Sequence, residues 1–213
     1  MLSVIWWILV IGLAFNLVWI ALQYFSFKED YNFLKIKEVY IGNPVWKASF
    51  YIHLTFGITA VLSGLPLFFE RLISFKSKVH KNLGKIYVFS ILFLTGPTGL
   101  YLAFTAEGGP LATIGFLFMS SIWMYLTYKA FIKIAVDKNV ESHYKWMIRS
   151  FCFTLSGITL RIMTPLCNDF FQLDPKLTYL LTAYLPWMIN LVIGEILVYY
   201  SKNPLILISN EKN

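Results

Sequence analysis

The sequence predicts an all-α fold, a polytopic membrane protein in which six transmembrane helices form a single bundle with both termini in the cytoplasm. Hydrophobic residues make up 58% of the 213-residue chain and charged residues only 14%, whereas soluble domains average roughly 25% charged residues. Six apolar runs are long enough to cross a hydrocarbon core, which takes about 20 helical residues. The loops between them are too short to fold separately, so residues 1–213 are expected to form one domain. The predicted spans are approximately 3–26, 46–69, 83–105, 111–134, 146–167 and 178–200.

The first span reads LSVIWWILVIGLAFNLVWIALQYF and is predicted to be a retained helix. No basic residue precedes it and no small-residue cleavage site follows a short apolar core, as a signal peptide would require. Its Asn16 is expected to pack against a neighbouring helix, because interhelical amide contacts are ordinary in bundles. The alternative is that Asn16 belongs to a binding site.

The first loop contains KEDYNFLKIKEVYIGNPVWK, in which apolar residues interrupt the charges. This mixture is typical of a segment that lies on the membrane surface or caps the bundle. A loose loop is the alternative. Its lysines are Lys28, Lys35, Lys37 and Lys47.

Basic residues elsewhere set the predicted orientation. They concentrate around the second and fourth loops, whereas the third loop, TAEGGP, has none and the fifth, NDFFQLDPK, has one. Because positive residues mark cytoplasmic loops, the second and fourth loops and the tail with Lys202 are predicted to be cytoplasmic, in a bacterial-type inner (plasma) membrane. The first-loop lysines run against this rule. The two basic groups are Arg71, Lys76, Lys78, Lys81 and Lys85, and Lys129, Lys133, Lys138, Lys145 and Arg149.

Arg161 lies inside the fifth span, in TLSGITLRIMTPL. A charge near the middle of a bilayer costs at least ~2.5 to 3.5 kcal/mol, so the guanidinium needs a partner. His53 lies at a similar depth in the second span, and the two are predicted to form an outer ligand-binding cluster. Alternatively, Arg161 reaches toward the outer head groups or bonds to carbonyls that Pro165 frees.

A second polar cluster is predicted near the cytoplasmic ends of the helices. His80 and His143 precede the third and fifth spans, and Arg149 and Glu195 lie at a similar depth. With Tyr87 they are predicted to bind a ligand, and the two histidines are candidate metal ligands. The alternatives are that the histidines are solvated interfacial side chains and that Glu195 is a structural counter-ion of Arg149.

Four stretches of the chain resemble a known family. They are FYIHLTFGITAVLSGLPLFF, HKNLGKIYV, TGPTGLYLAF and HYKWMIRSFCFTLSGITLRI. Over roughly residues 46 to 165 the chain resembles the multi-pass membrane proteins of the domain of unknown function 2306 family. The resemblance implies the same topology and no established activity. Three positions depart from the family's pattern. Arginine is expected where this chain has Lys81 and Lys85, and a basic residue where it has Tyr144. The matching positions are His53, His80, Gly84, Tyr87, His143, Trp146, Met147, Arg149 and Arg161.

Three classes of function remain open. In a redox module, His80 and His143 would be axial ligands of haem b, or a quinone would sit beside His53 and Arg161. A lipid or small-anion binding or transport protein would use the same outer pair, near helices broken at Gly96-Pro97 and Thr164-Pro165. The third class is a non-catalytic membrane assembly factor. The expected partners are membrane lipids and a small-molecule or redox ligand, without nucleic acid, and the sequence identifies no catalytic residue.

Overall fold

The computed structural model describes residues 2–28, 32–68 and 77–201. These residues are helical almost throughout and contain no strand. Short 3₁₀ turns follow α1, precede α2 and extend α3, at Tyr24–Ser26, Asn32–Lys37 and Leu65–Phe68. The α-helices are α1 Leu2–Gln23, α2 Glu38–Ile41, α3 Pro44–Gly64, α4 Lys78–Phe89, α5 Gly96–Ala103, α6 Gly109–Ala135, α7 Val140–Thr154, α8 Ser156–Pro165 and α9 Pro175–Tyr200.

Five helical segments of the described chain are long and apolar enough to cross a membrane, which confirms five of the six predicted spans. In α1, the apolar helical stretch whose side chains are described, Ile11–Ser26, is shorter. A sixth crossing and cytoplasmic termini therefore stay predictions, and Arg71, Lys76 and Lys202 lie outside the described residues. The five segments are Pro44–Phe68, Lys78–Ala103, Gly109–Ala135, Val140–Phe170 and Pro175–Tyr200.

Two of these segments begin earlier than their apolar runs do. The Ser77 hydroxyl accepts from the His80 backbone N–H at 3.1 Å, and the Asn139 side chain accepts from Ser142 at 2.9 Å. Such N-caps satisfy backbone donors that a helix start leaves free. The polar turns that carry His80 and His143 are thus helical.

Wide π-helical turns interrupt the third and fifth predicted spans. Ser90–Thr95 joins α4 to α5 immediately before Gly96-Pro97, and Leu166–Phe170 follows α8 directly after Pro165. Proline has no backbone N–H to continue the regular ladder, and π turns inside α-helices are rare and frequent at functional sites. The structure therefore places irregular backbone where the two X-Pro pairs predicted it.

The first loop caps one end of the bundle. Leu34 and Ile41 are buried against Trp46, Phe50 and Leu54. Lys37 is 1% exposed, and its ammonium donates to the Thr105 carbonyl and to Glu107 Oε1, the latter at 2.7 Å. This supports the capping alternative. We refer to residues 32–41 as the cap, and to this side of the bundle as the capped end.

Candidate intramembrane site

Arg161 lies on α8 where that helix faces α1. Its Nη1 donates to the Gly157 carbonyl one turn earlier at 3.4 Å, which is long for a hydrogen bond. Within the described residues this is the only hydrogen bond of the guanidinium, and no carboxylate there pairs with it. Since a guanidinium carries five N–H donors, most of its capacity is unused.

A narrow cleft beside Arg161 connects it to the surface of α1. The cleft holds a cavity of about 30 Å³ lined by Leu13, Asn16, Leu17, Ile158, Arg161 and Ile162. Asn16 also borders a wider open groove of about 410 Å³ on α1, with Gly12, Phe15 and Trp19. A side chain added at Gly157 would meet no heavy atom within 4 Å. Asn16 therefore borders both the groove and the cleft that Arg161 lines.

Asn16 does not play the packing role expected of it. The side chain is exposed, and it forms no hydrogen bond to any part of the chain that the structure describes. A polar amide with no protein partner on an apolar helix is costly in hydrocarbon. Its position at the junction of the groove and the cleft favours the alternative, membership of a site.

His53 is held by the π turn between α4 and α5. Its Nδ1 lies 2.8 Å from the Thr95 carbonyl, and the Thr95 hydroxyl donates to the His53 carbonyl at 3.1 Å. A carbonyl can only accept, so Nδ1 carries a proton. Gly99 allows this close approach, because a Cβ there would lie 3.0 Å from His53 Cε1 and 2.9 Å from the Ser120 hydroxyl.

His53 and Arg161 lie at matching depth along their membrane segments. Each lies nine residues from the capped end of its membrane segment, about 13 Å at 1.5 Å per residue. No hydrogen bond joins them, and each side chain contacts a backbone carbonyl instead. The predicted outer cluster thus stands as two groups at matching depth, with their mutual role still a prediction.

An apolar contact between three helices lies beside the cleft that Arg161 lines. Ala14 and Leu17 of α1 pack with Val61 of α3 and Ile158 of α8. Arg161 lies one turn from Ile158 toward the capped end, and His53 lies two turns from Val61 in the same direction. Tyr24, which packs against Phe50 near the cap, interacts electrostatically with Arg161. We call the cleft between α1 and α8, lined by Asn16 and Arg161, the outer cleft.

The residues of the predicted inner cluster form two pairs. Arg149 binds Glu195 through two hydrogen bonds, Nε to Oε1 at 2.6 Å and Nη2 to Oε2 at 2.8 Å, and its guanidinium lies 5.0 Å from the Trp146 ring centre. His143 Nδ1 donates to the Ala130 carbonyl at 2.7 Å, and His80 interacts electrostatically with His143. The counter-ion alternative for Glu195 accounts for its contacts.

Comparison with known proteins adds one finding. The model of the family described as Predicted membrane protein (DUF2306) matches residues 50–198. The chain belongs to this family. No curated protein and no solved structure matches it.

The DUF2306 region includes His53, Arg161 and both pairs of the inner cluster. It ends at residue 198, whereas the resemblance noted from the motifs ends near residue 165. Asn16 lies outside it, on α1. The outer cleft therefore combines family residues on α8 with residues of α1 that the matched region does not contain.

Tyr87 belongs to a buried network that the sequence did not reveal. Its hydroxyl bonds to Ser150 at 2.7 Å and Thr154 at 2.8 Å, Thr127 bonds to Ser150 at 2.8 Å, and Trp123 donates to Thr154 at 2.9 Å. The polar stripe of α7 predicted an interior face, but α6 reads as apolar and gave no sign of its partners. The predicted ligand contact of Tyr87 is untested, while its geometry accounts for a packing role.

The interior is closely packed two turns beyond the histidine pair. Tyr87 and Ser150 follow His80 and His143 by two turns, and both are fully buried. A Cβ on Gly64 would already lie 2.8 Å from the Tyr87 ring and 2.9 Å from Phe151. Among the described residues no group of three or more histidine, cysteine or acidic side chains is arranged to hold a metal. Ligation by His80 and His143 alone stays a prediction.

Proposed function

We propose that this membrane protein binds a membrane-soluble amphiphile, quinone-like or lipid-like, whose oxygen-bearing head group contacts Arg161 in the outer cleft. The observation that carries the proposal is the state of the guanidinium, which is part-buried between α1 and α8 and forms a single hydrogen bond to the described residues, at 3.4 Å. A charge in this position requires a partner. A ligand oxygen would supply the hydrogen-bond acceptor that the described protein groups do not.

Access from within the bilayer suits the shape of the site. The groove on α1 is apolar apart from Asn16, and it leads toward the cleft. At the capped end, the Lys37–Glu107 ion pair and the hydrogen bond from Trp46 Nε1 to the Thr105 hydroxyl, 2.9 Å, close the aqueous approach. An apolar tail would lie in the groove while Asn16 and Arg161 bind the head group.

The same features weigh against the other classes. A transport path for a small hydrated anion would need polar walls, whereas aliphatic side chains line most of the cleft. A purely structural role for Arg161 would be supported by a carboxylate partner such as Arg149 has in Glu195. A binding site for an amphiphile accounts for both the apolar walls of the cleft and the unused N–H donors of Arg161.

Analysis of co-purified ligands tests the proposal. The wild-type protein and the Arg161→Gln and Gly157→Leu variants would be purified in mild detergent, and bound quinones and phospholipids quantified by mass spectrometry. Arg161→Gln removes charge-assisted hydrogen bonds worth about 1.5 to 3 kcal/mol, so occupancy of one ligand class should fall roughly tenfold or more. Gly157→Leu should lower it as well, because the added side chain occupies open space beside the carbonyl that contacts Arg161.

Gly84→Leu is the matched control. Gly84 is also a helix glycine with no heavy atom within 4 Å of an added Cβ, but it lies on α4, far along the chain from the cleft. This variant should retain wild-type occupancy. Equal ligand content in all four proteins, each monodisperse by size exclusion, would contradict the proposal.

A further inference from the structure

The first turns of α4 carry a row of lysines at the end of the bundle opposite the cap. Lys78, Lys81 and Lys85 are all exposed. Helical spacing places them within about 60° of one another around the helix axis and spreads them over about 10 Å along it. The helix contains no aspartate or glutamate, so this side of α4 has three positive charges and no negative one. We call it the α4 lysine face.

The basic residues of α6 and α7 at the same end are in a different state. Three of them form ion pairs of 2.6 Å with carboxylates, a fourth donates to a backbone carbonyl at 2.6 Å, and a fifth lies 5.6 Å from the centre of a tyrosine ring. No carboxylate in the described part of the chain pairs with a lysine of α4. The five contacts are Lys133 with Asp137, Lys145 with Glu141, Arg149 with Glu195, Lys138 with Ala135, and Lys129 with Tyr125.

This difference between helices needs an explanation beyond membrane orientation. A general excess of positive residues at one end accounts for lysines on all three helices. It does not account for the concentration of unneutralised charge on α4 alone. A partner from outside the chain that carries negative charge would complement the α4 lysine face.

The same side of the helix becomes apolar beyond the lysines. Phe89 follows Lys85 by about one turn. Phe89 and Phe93 are 53% and 64% exposed, and their ring centres lie 5.4 Å apart. Pro97, one turn further on, is also exposed. The row therefore runs from charged side chains at the end of the bundle to apolar side chains in the membrane-spanning segment Lys78–Ala103.

We propose that the α4 lysine face binds the head group of an anionic phospholipid whose acyl chains lie along Phe89 and Phe93. A phospholipid has the same order of groups, a charged phosphate followed by apolar chains. Lysine ammonium groups donate charge-assisted hydrogen bonds to phosphate oxygens. A zwitterionic lipid also carries a positive group, so it gains less from three lysines. An acidic soluble partner would use the lysines but not the two phenylalanine rings.

The proposed lipid site is independent of the outer cleft. Arg161 lies near the capped end, whereas α4 begins at the opposite end of the bundle. Each lysine near an anionic membrane surface strengthens binding by about fivefold. Salt screens such contacts between exposed charges. The preference for anionic lipid should therefore depend on all three lysines and decrease as the ionic strength rises.

Competition between two lipids tests the proposal. The full-length protein in mild detergent would be mixed with equimolar phosphatidylglycerol and phosphatidylcholine, and the retained lipids counted by native mass spectrometry. The wild type should retain more phosphatidylglycerol. The triple variant Lys78→Gln/Lys81→Gln/Lys85→Gln should lower the ratio of the two lipids roughly tenfold or more. The corresponding triple arginine variant should keep the ratio high, because it keeps the three charges.

The triple variant Lys133→Gln/Lys138→Gln/Lys145→Gln is the matched control. It changes the net charge equally at the same end, but its lysines already contact protein groups. It should keep most of the wild-type ratio. Equal retention of both lipids by the wild type would overturn the proposal and leave the α4 lysine face to an acidic soluble partner. An equal loss in both glutamine variants would also overturn it, because the preference would then follow the total charge of that end. Ligand occupancy that depends on Arg161 should be the same in the α4 variant, so the proposed function is tested separately.

Discussion

The Tyr87 network and the outer cleft are two polar regions in one apolar bundle, and they are built in opposite ways. Around Tyr87 every hydroxyl finds a protein partner, and the atoms are completely buried. Around Arg161, the guanidinium forms one long bond within the described part of the chain, an exposed amide lines the same cleft, and Gly157 leaves open space. A closed network stabilises a fold, whereas a charged group with free donors beside a cavity is suited to a ligand.

The largest expected effect comes from emptying the closed region. Tyr87→Ala removes a fully buried ring that packs against Gly64 and Phe151 and leaves Ser150 and Thr154 short of a partner. Large-to-small core substitutions of this kind cost about 3 to 5 kcal/mol. The unfolding free energy in bicelles should fall by that amount. Tyr128→Ala is the control, because Tyr128 is half exposed on α6. An equal loss of unfolding free energy in this variant would contradict the stabilising role of Tyr87.

A smaller, more selective change tests the hydrogen bonds themselves. Thr154→Val keeps the volume but removes the acceptor of Trp123 and Tyr87. Interhelical hydrogen bonds in membranes are worth up to about 1 to 2 kcal/mol, so the loss should be of that size. Ligand occupancy of the outer cleft should not change.

Thr164→Val is the matched control for that substitution. The Thr164 hydroxyl donates only to the Leu160 carbonyl of its own helix, at 2.9 Å. Its removal should leave the unfolding free energy nearly unchanged. If the two threonine variants unfolded alike in the same assay, the closed network would carry no measurable stability.

The contrast between the regions also explains what the sequence could predict. Five spans follow from hydropathy alone, and the matching depths of His53 and Arg161 follow from helical rise. The starts of α4 and α7 were placed too late because Ser77 and Asn139 extend them through polar turns. Caps of this kind do not register in a hydropathy window.

Partners between helices were beyond the reach of the sequence. Thr127 and Trp123 sit in an apolar helix, and their bonds to α7 depend on how α6 and α7 are rotated against each other. The same holds for Asn16, whose exposure is set by the rotation of α1. A stripe of polar residues predicts which face is interior, but it does not say which atoms meet there or which stay free.

The smallest expected change in unfolding free energy comes from the two arginines of the fifth predicted span. Replacing one of them should destabilise the protein, and replacing the other should stabilise it when no ligand is bound. Arg149 is paired with a half-exposed carboxylate, so Arg149→Gln should destabilise the protein by about 0.5 to 1 kcal/mol, as expected for a partly solvated ion pair.

Arg161→Gln removes an enclosed charge that the described protein groups do not neutralise. In ligand-stripped protein it should raise the unfolding free energy by about 1 kcal/mol, because sites adapted to a ligand carry unpaired groups that weaken the empty fold. With ligand bound the sign should reverse, since the wild type alone gains the binding energy. Chemical unfolding of both variants, with and without extracted lipid and quinone, measures the four values. Destabilisation by Arg161→Gln in the ligand-stripped protein would mean that the guanidinium has a structural partner. The outer cleft would then stabilise the fold as the Tyr87 network does, only to a smaller extent.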